Sequence, residues 1–293
     1  MKVAVTGATG FLGRYVVNDL LERGHCCRCW HRPSSDRGGF VEGDGKIKWI
    51  EGQLGDERAV ATLVDGVDAV VHAALAWDDD LVNCATMNVI GSLQLMQAAR
   101  RVGVARFIFI STCAVHERIR DDRPLDEAHP LWPTSHYGAH KAAIEKFVHS
   151  YGLGEGWAIC SLRPTGIYGM KRPADTSRWF NIVSQVMAGR SIESNHGGKE
   201  VHAADVARAV GILLDADPAA ITGESFNCYD MYVTEQTVAA IAGQLTGNTS
   251  TITPDNQGPK HQIDTGKIQA LGMQFGGRPL LERYVAQLTG ACQ

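Results

Sequence analysis

The stretch Thr6-Gly7-Ala8-Thr9-Gly10-Phe11-Leu12-Gly13 falls between a short apolar run, Val3 to Thr6, and a segment of helical periodicity, Phe11 to Arg23. Three glycines at this spacing have separate uses. Gly7 permits a tight turn out of a strand, Gly10 lets the backbone come close to a pyrophosphate, and Gly13 lets the helix pack tightly on the strand. The helix start adds unpaired N–H groups and the positive end of a dipole, which suit phosphate. An ordinary strand-to-helix loop seldom needs this set. Gly7, Thr9, Gly10, Phe11, Leu12 and Gly13 are therefore expected to hold a dinucleotide.

The residues that follow supply the context such a turn requires. Low-charge runs at Cys26 to His31, Ile47 to Glu51, Ala69 to His72, Arg106 to Ser111 and Trp157 to Leu162 predict strands. Helical patterns at Glu57 to Asp65, Leu81 to Val102 and Ser135 to Tyr151 lie between them. This rhythm predicts an α/β fold, a doubly wound parallel sheet of the Rossmann kind covered on both faces. Beyond residue 165 the rhythm is broken by Pro164, Gly166, Gly169, Pro173, Gly189, Gly197 and Gly198, with weaker strand signals near Ser225 to Cys228 and Ser250 to Thr253. We expect a dinucleotide-binding domain over 1–165 and a smaller C-terminal α/β substrate domain over 166–293. Later segments such as the helix Ala203 to Leu214 are expected to pack back on the first domain.

Composition removes several function classes. The chain has 293 residues and a net charge of −4, with no basic stripe, so no nucleic-acid partner is expected. Its longest apolar runs, such as Phe107 to Ile110, fall far short of the roughly 20 residues of a membrane-spanning helix. The apolar start meets the glycine turn before it can form a signal-peptide core. A cytoplasmic location and no membrane partner are the expectation. Of the eight cysteines, three sit close together. In a strand at 25–31, Cys27 and Cys29 share one face while Cys26 points away, and no second Cys or His pair has zinc-like spacing. They are expected to be reduced core thiols, with no metal site. The run Asp78-Asp79-Asp80, without companion ligands, is expected to be a solvated loop.

Tyr137-Gly138-Ala139-His140-Lys141 sets a phenol and an ammonium one helical turn apart on a common face. A free tyrosine has a pKa of about 10, and a nearby cation lowers it by about 1 to 3 units. Tyr137 is thereby suited to take a hydroxyl proton as hydride leaves, or to return it in reduction. Ser111-Thr112 stands at the C-terminal end of a strand, the edge at which open α/β sheets bind ligands.

Thr-Gly-x-x-Gly-x-x-Gly at the N-terminus, with Tyr-x-x-x-Lys and the strand-end Ser-Thr, resembles the extended short-chain dehydrogenase/reductase family, also called the NAD-dependent epimerase/dehydratase family. Matches extend along nearly the whole chain: Val70-Val71-His72-Ala73-Ala74, Asn88 within Asn-Val-Ile-Gly-Ser, Arg163 to Gly169, Val201 to Ala207 and Asp264 to Gly272. The resemblance implies that Thr112, Tyr137 and Lys141 are catalytic, with His116 in place of a usual tyrosine. It implies cofactor contacts at Gln53, Leu54, Ala73, Ala74, Ser111, Pro164, Tyr137 and Lys141, and a homodimer through the helices at 81–102 and 135–151.

His31 occupies the position where NAD-selective folds carry an acid, and Arg32 follows, so NAD(P) with a lean toward NADP is expected. The substrate is expected to be a small molecule, a sugar or nucleotide-sugar acted on by an epimerase or related oxidoreductase. Alternatives are an NADPH-dependent carbonyl reductase of the same fold and a non-catalytic dinucleotide sensor. Two departures from the family bear on the choice. The arginine that grips a diphosphate is missing from Gly197-Gly198-Lys199-Glu200-Val201, where Lys199 is only a point-charge substitute. Thr112 is followed by Cys113 and Ala114 rather than by the acids that serve elimination, so a sugar 4,6-dehydratase is not expected.

Overall fold

The computed structural model describes residues 1–40, 45–192, 194, 196–248 and 258–292. By its contacts the chain divides into two units. The first comprises Met1–Pro164, Val206–Cys228 and Asp264–Met273, and the second Thr165–Asp205, Tyr229–Ile263 and Gln274–Gln293.

The first unit is built on seven parallel strands: β1 (Lys2–Thr6), β2 (Cys26–His31), β3 (Ile47–Glu51), β4 (Ala69–His72), β5 (Arg106–Ile110), β6 (Ala158–Pro164) and β9 (Glu224–Cys228). They lie in the order β3-β2-β1-β4-β5-β6-β9. Every residue of β4 and β6 is buried, as expected of low-charge strands covered on both faces. Helices α1 (Phe11–Glu22), α2 (Glu57–Val64), α3 (Leu81–Ala85), α4 (Gly91–Arg101) and α5 (His136–His149) connect them. One continuous apolar layer joins Leu63, Leu95, Met96, Phe107, Phe109, Ile144 and Trp157, all buried. The chain order reverses between β1 and β4, which opens a crevice at their C-terminal ends.

Two features depart from the expected pattern. The helix expected at Leu81 to Val102 is interrupted by a π turn at Thr86–Ile90, which joins α3 to α4. The weak strand signal at Ser225 to Cys228 is the seventh strand of the large sheet, pairing parallel with β6 from Cys160↔Glu224 to Pro164↔Cys228. Cys27 and Cys29 are buried and Cys26 is exposed, and none of the eight cysteines is in a disulfide. No described helix is long and apolar enough to cross a membrane.

The second unit holds a three-stranded sheet in the order β10-β8-β7, formed by β7 (Gly166–Tyr168), β8 (Gly197–His202) and β10 (Met231–Thr234). Its core gathers Tyr168, Trp179, Val183, Val186, Val238, Ile241, Leu281, Tyr284 and Leu288, largely from helices α6 (Phe180–Met187), α7 (Glu235–Thr246) and α8 (Gly277–Ala291). The strand expected at 250–253 lies outside the described residues.

Candidate active site

The glycine turn is shaped by close approach. Gly7 has φ +70°, and a Cβ there would lie 2.8 Å from the Ala73 carbonyl and from the Ala74 nitrogen. At Gly13 a Cβ would come within 2.0 Å of the Gly7 oxygen, which no backbone shift of ordinary size relieves. Gly10 caps α1 without a side-chain bond, and the first turn of α1 carries no acidic residue. Its N–H groups and dipole therefore suit an anion, with no acidic side chain to compete.

Beside the turn lies a cavity of about 480 Å³. Gly7, Thr9, Gly10, His31, Arg32, Gln53, Leu54, Ala73 and Ala74 line it, as do Trp30, Ser35, Asp36, Leu75, Ala76, Trp77 and Met87, which sequence reasoning did not single out. A backbone cradle closed to any Cβ, an uncapped helix start and a crevice of this volume fit a dinucleotide. Phe11, Leu12 and Gly13 belong to the first turn of α1 and do not line the cavity, nor do Ser111, Tyr137, Lys141 and Pro164. At the cavity rim Asp36 accepts from Arg14 at 3.1 Å.

A buried polar chain fixes the loop after β4. The Thr6 hydroxyl and His72 Nδ1 are 2.7 Å apart, and Thr6 also accepts from the Ala74 N–H at 3.1 Å. His72 Nε2 lies 2.8 Å from the Ser92 hydroxyl, which donates to the Asn88 carbonyl. The Asn88 side chain accepts from the Ala76 N–H at 2.8 Å and donates to the Ala76 carbonyl at 2.9 Å. The π turn aims this amide, consistent with the frequent placement of such turns at functional sites. Burial lowers the His72 pKa to about 3, so the ring is neutral.

Thr112, Tyr137 and Lys141 come together at the end of β5. Thr112 is buried and caps the short 3-10 turn Cys113–His116, accepting from the Ala114 N–H at 3.1 Å. Ser135 caps α5 by accepting from the Gly138 N–H at 3.1 Å, and Glu117 holds the Ser135 hydroxyl at 2.6 Å. A Cβ at Gly138 would lie 2.6 Å from the Ala114 carbonyl, so only glycine lets α5 approach this turn so closely. Burial raises the Tyr137 pKa, and a hydrogen bond from Thr112 opposes the shift. Lys141 Nζ is buried, donates to the Ile110 carbonyl at 2.7 Å and sits 6.0 Å from the centre of the Tyr137 ring. Its pKa falls to about 8 through burial, with Glu145 resisting.

Behind these residues is an ion pair that the sequence did not advertise. Arg163 and Glu145 have side chains 1% and 0% exposed and meet at 2.6 Å. The Ser111 hydroxyl donates to Glu145. Arg163 also donates to His116 Nε2 at 3.2 Å, which places the His116 proton on Nδ1, facing the Pro130 carbonyl at 3.2 Å. Burial, then Arg163, depresses the His116 pKa to about 4. His116 therefore serves as a neutral acceptor rather than as a phenol. Glu145 follows Lys141 by four residues, so the spacing that joins Tyr137 to Lys141, carried one turn further, points to it.

In the second unit, a Cβ at Gly198 would stand 2.3 Å from Glu200 Oε1 and 3.4 Å from Arg178 Nη2. Glu200 is 1% exposed and paired with Arg178 at 2.5 Å, and its Oε2 has no hydrogen-bond partner. Burial raises its pKa to about 7 against the pull of Arg178. β8 runs Gly197-Gly198-Lys199-Glu200-Val201-His202 and carries no arginine.

A parallel sheet with this crevice and a Tyr-x-x-x-Lys helix beside it define a dinucleotide-binding α/β fold of the short-chain oxidoreductase type. The pattern of the NAD dependent epimerase/dehydratase family matches residues 3–228, and the chain belongs to that family of enzymes. Relatives include a 3-beta-hydroxysteroid dehydrogenase of Mycolicibacterium neoaurum, 31% identical over 201 residues, 64% of this chain and 52% of that protein. The chain spans about half the length of the hydroxysteroid dehydrogenases it matches. A UDP-glucose 4-epimerase of Corynebacterium glutamicum is 29% identical over 250 residues, covering 75% of this chain and 72% of that one. Among solved structures, UDP-glucose 4-epimerase of Thermotoga maritima superposes with a TM-score of 0.80 at 22% identity over all of both chains. That of Thermus thermophilus gives 0.79 at 24% identity, covering 99% of this chain and 100% of the other.

Proposed function

We propose that this chain is an NAD(P)-dependent oxidoreductase that moves hydride to or from the carbinol carbon of a small molecule, with Tyr137 handling the hydroxyl proton. One observation carries the reading: Thr112, Tyr137 and Lys141 meet at the end of β5, in the sheet whose glycine turn lines the dinucleotide-sized cavity. The nicotinamide supplies the hydride chemistry. Thr112 orients the substrate oxygen and the phenol, and Lys141 stabilises the phenolate. Cytoplasmic residence and a homodimer paired through α4 and α5 belong to the same proposal.

The substrate has two candidate classes. A sugar or nucleotide-sugar, oxidised and re-reduced at one carbon, is supported by the long match to a UDP-glucose 4-epimerase. A dehydrogenase or reductase of an uncharged substrate is favoured by Gly197-Gly198-Lys199-Glu200-Val201, which lacks the arginine of a diphosphate clamp. An epimerase recycles its nucleotide in place. Purified protein carrying tightly bound dinucleotide supports the first class, and protein that arrives empty and exchanges cofactor at each turnover supports the second.

The cofactor is proposed to be NADP in preference to NAD. Arg32 and His31 line the cavity at the end of β2, and the nearby acid, Asp36, is paired with Arg14. A guanidinium forms charge-assisted bonds to a 2′-phosphate. Titration of both nucleotides into apo-protein is expected to show tighter NADP binding, and Arg32→Ala to weaken it by about 10- to 100-fold. Tighter NAD binding, or unchanged NADP affinity in the variant, contradicts this.

A further inference from the structure

Trp77 is 76% exposed, an unusual state for the largest apolar side chain in a folded protein. Its ring lies nearly parallel to that of Tyr137, with centroids 6.0 Å apart and an interplanar angle of 23°. It also lines the cavity beside the glycine turn. The backbone leading into it is held, since Asn88, 2% exposed, grips both backbone groups of the preceding residue, Ala76. An exposed aromatic plane next to a proton-transfer phenol is a surface built to be covered.

The surroundings indicate by what. Asp78, Asp79 and Asp80 follow Trp77, all exposed, and three acids in a row disfavour an anionic substrate on the indole.

We propose that Trp77 is a specificity-determining residue, a platform on which an uncharged, apolar saturated ring lies flat while its carbinol faces Tyr137. The inference rests on Tyr137 being the proton-transfer group. Stacking on the indole sets the height of the ring, and its C–H face replaces water over the exposed plane. The acids beyond exclude anionic substrates from the same surface.

Binding and turnover test the two readings apart. Decahydro-2-naphthol serves as an apolar ring alcohol and UDP-glucose as an anionic competitor, each titrated calorimetrically into cofactor-loaded protein. The Tyr137→Phe chain is titrated alongside wild type, so that affinity is measured whatever becomes of catalysis. Decahydro-2-naphthol is expected to bind both proteins more tightly than UDP-glucose does. Trp77→Ala is expected to lose about 10- to 100-fold in that affinity, the range set by burying or exposing one large apolar side chain, and Trp77→Phe to recover most of it. Because the indole is exposed, neither substitution removes core packing, and an unaltered melting temperature checks this. Failure of decahydro-2-naphthol to bind, equal affinity in Trp77→Ala, or tighter binding of UDP-glucose overturns the platform. A Tyr137→Phe chain with full turnover overturns the catalytic reading instead.

Discussion

Tyr137→Phe is expected to lower turnover by about 10²- to 10⁴-fold while leaving dinucleotide affinity nearly unchanged, the usual cost of removing a positioned acid or base. The ring stays, so its packing against Trp77 and Lys141 stays with it. Only the phenolic oxygen beside Thr112 is lost. The pH dependence follows from the same geometry. Burial holds the Tyr137 phenol above its ordinary pKa, so at neutral pH it carries the proton that reduction consumes. Reduction is therefore expected to run well at neutral pH and to fall as alkali removes that proton. Oxidation needs the phenolate and is expected to rise with pH. Lys141, depressed to about 8 by burial, is still mostly cationic at pH 7 and loses its charge as pH passes through about 8. Rate profiles recorded in both directions check these signs, and a Tyr137→Phe variant as active as wild type contradicts the assignment.

Glu145→Ala is expected to destabilise the protein by about 3–5 kcal/mol, because it strands the Arg163 guanidinium in a site 1% exposed. The same substitution removes the acceptor of the Ser111 hydroxyl. Replacing Glu145 and Arg163 together by methionine removes both charges, and most of the loss is expected to return. Denaturant midpoints of the single and double variants measure the difference, and a Glu145→Ala midpoint equal to wild type contradicts a structural role for the pair. Acid acts on the same region through its histidines. His116 and His72 have folded pKa values of about 4 and about 3, below the unfolded value of 6.5, so the unfolded chain binds more protons in that interval. Their contribution is fully present above 6.5 and is lost as pH falls toward those values. Lys141 acts in the alkaline range: its folded pKa of about 8 lies below the 10.5 of the unfolded chain, so stability rises between the two.

Much of the fold was legible because strand and helix periods alternate cleanly up to residue 165, and each parallel strand is a short, low-charge run. β7, β8 and β10 escaped for the opposite reason. β7 and β10 are short, β7 and β8 begin on glycine, and Lys199 and Glu200 interrupt the apolar pattern of β8. The π turn at Thr86–Ile90 also left no trace, since one extra residue in a helical turn barely shifts the apolar spacing. At the site, residues joined by local spacing were visible: the three glycines, and Tyr137 with Lys141. Those joined only through the fold were not. Arg163 meets Glu145 and His116 across 18 and 47 residues, and Trp77 reaches Tyr137 across 60.

The central claim is that hydride passes between a nicotinamide and a carbinol carbon with Tyr137 supplying the proton. The most direct test is isotopic. The protein is incubated with NADPH deuterated at the transferring ring carbon and a set of ring ketones, decahydro-2-naphthalenone among them, and the products are examined by mass spectrometry. The account predicts deuterium bonded to the carbinol carbon in wild type and only a trace of labelled product with Tyr137→Phe. Product formed without deuterium, or labelled product formed equally well by the phenylalanine variant, would contradict it.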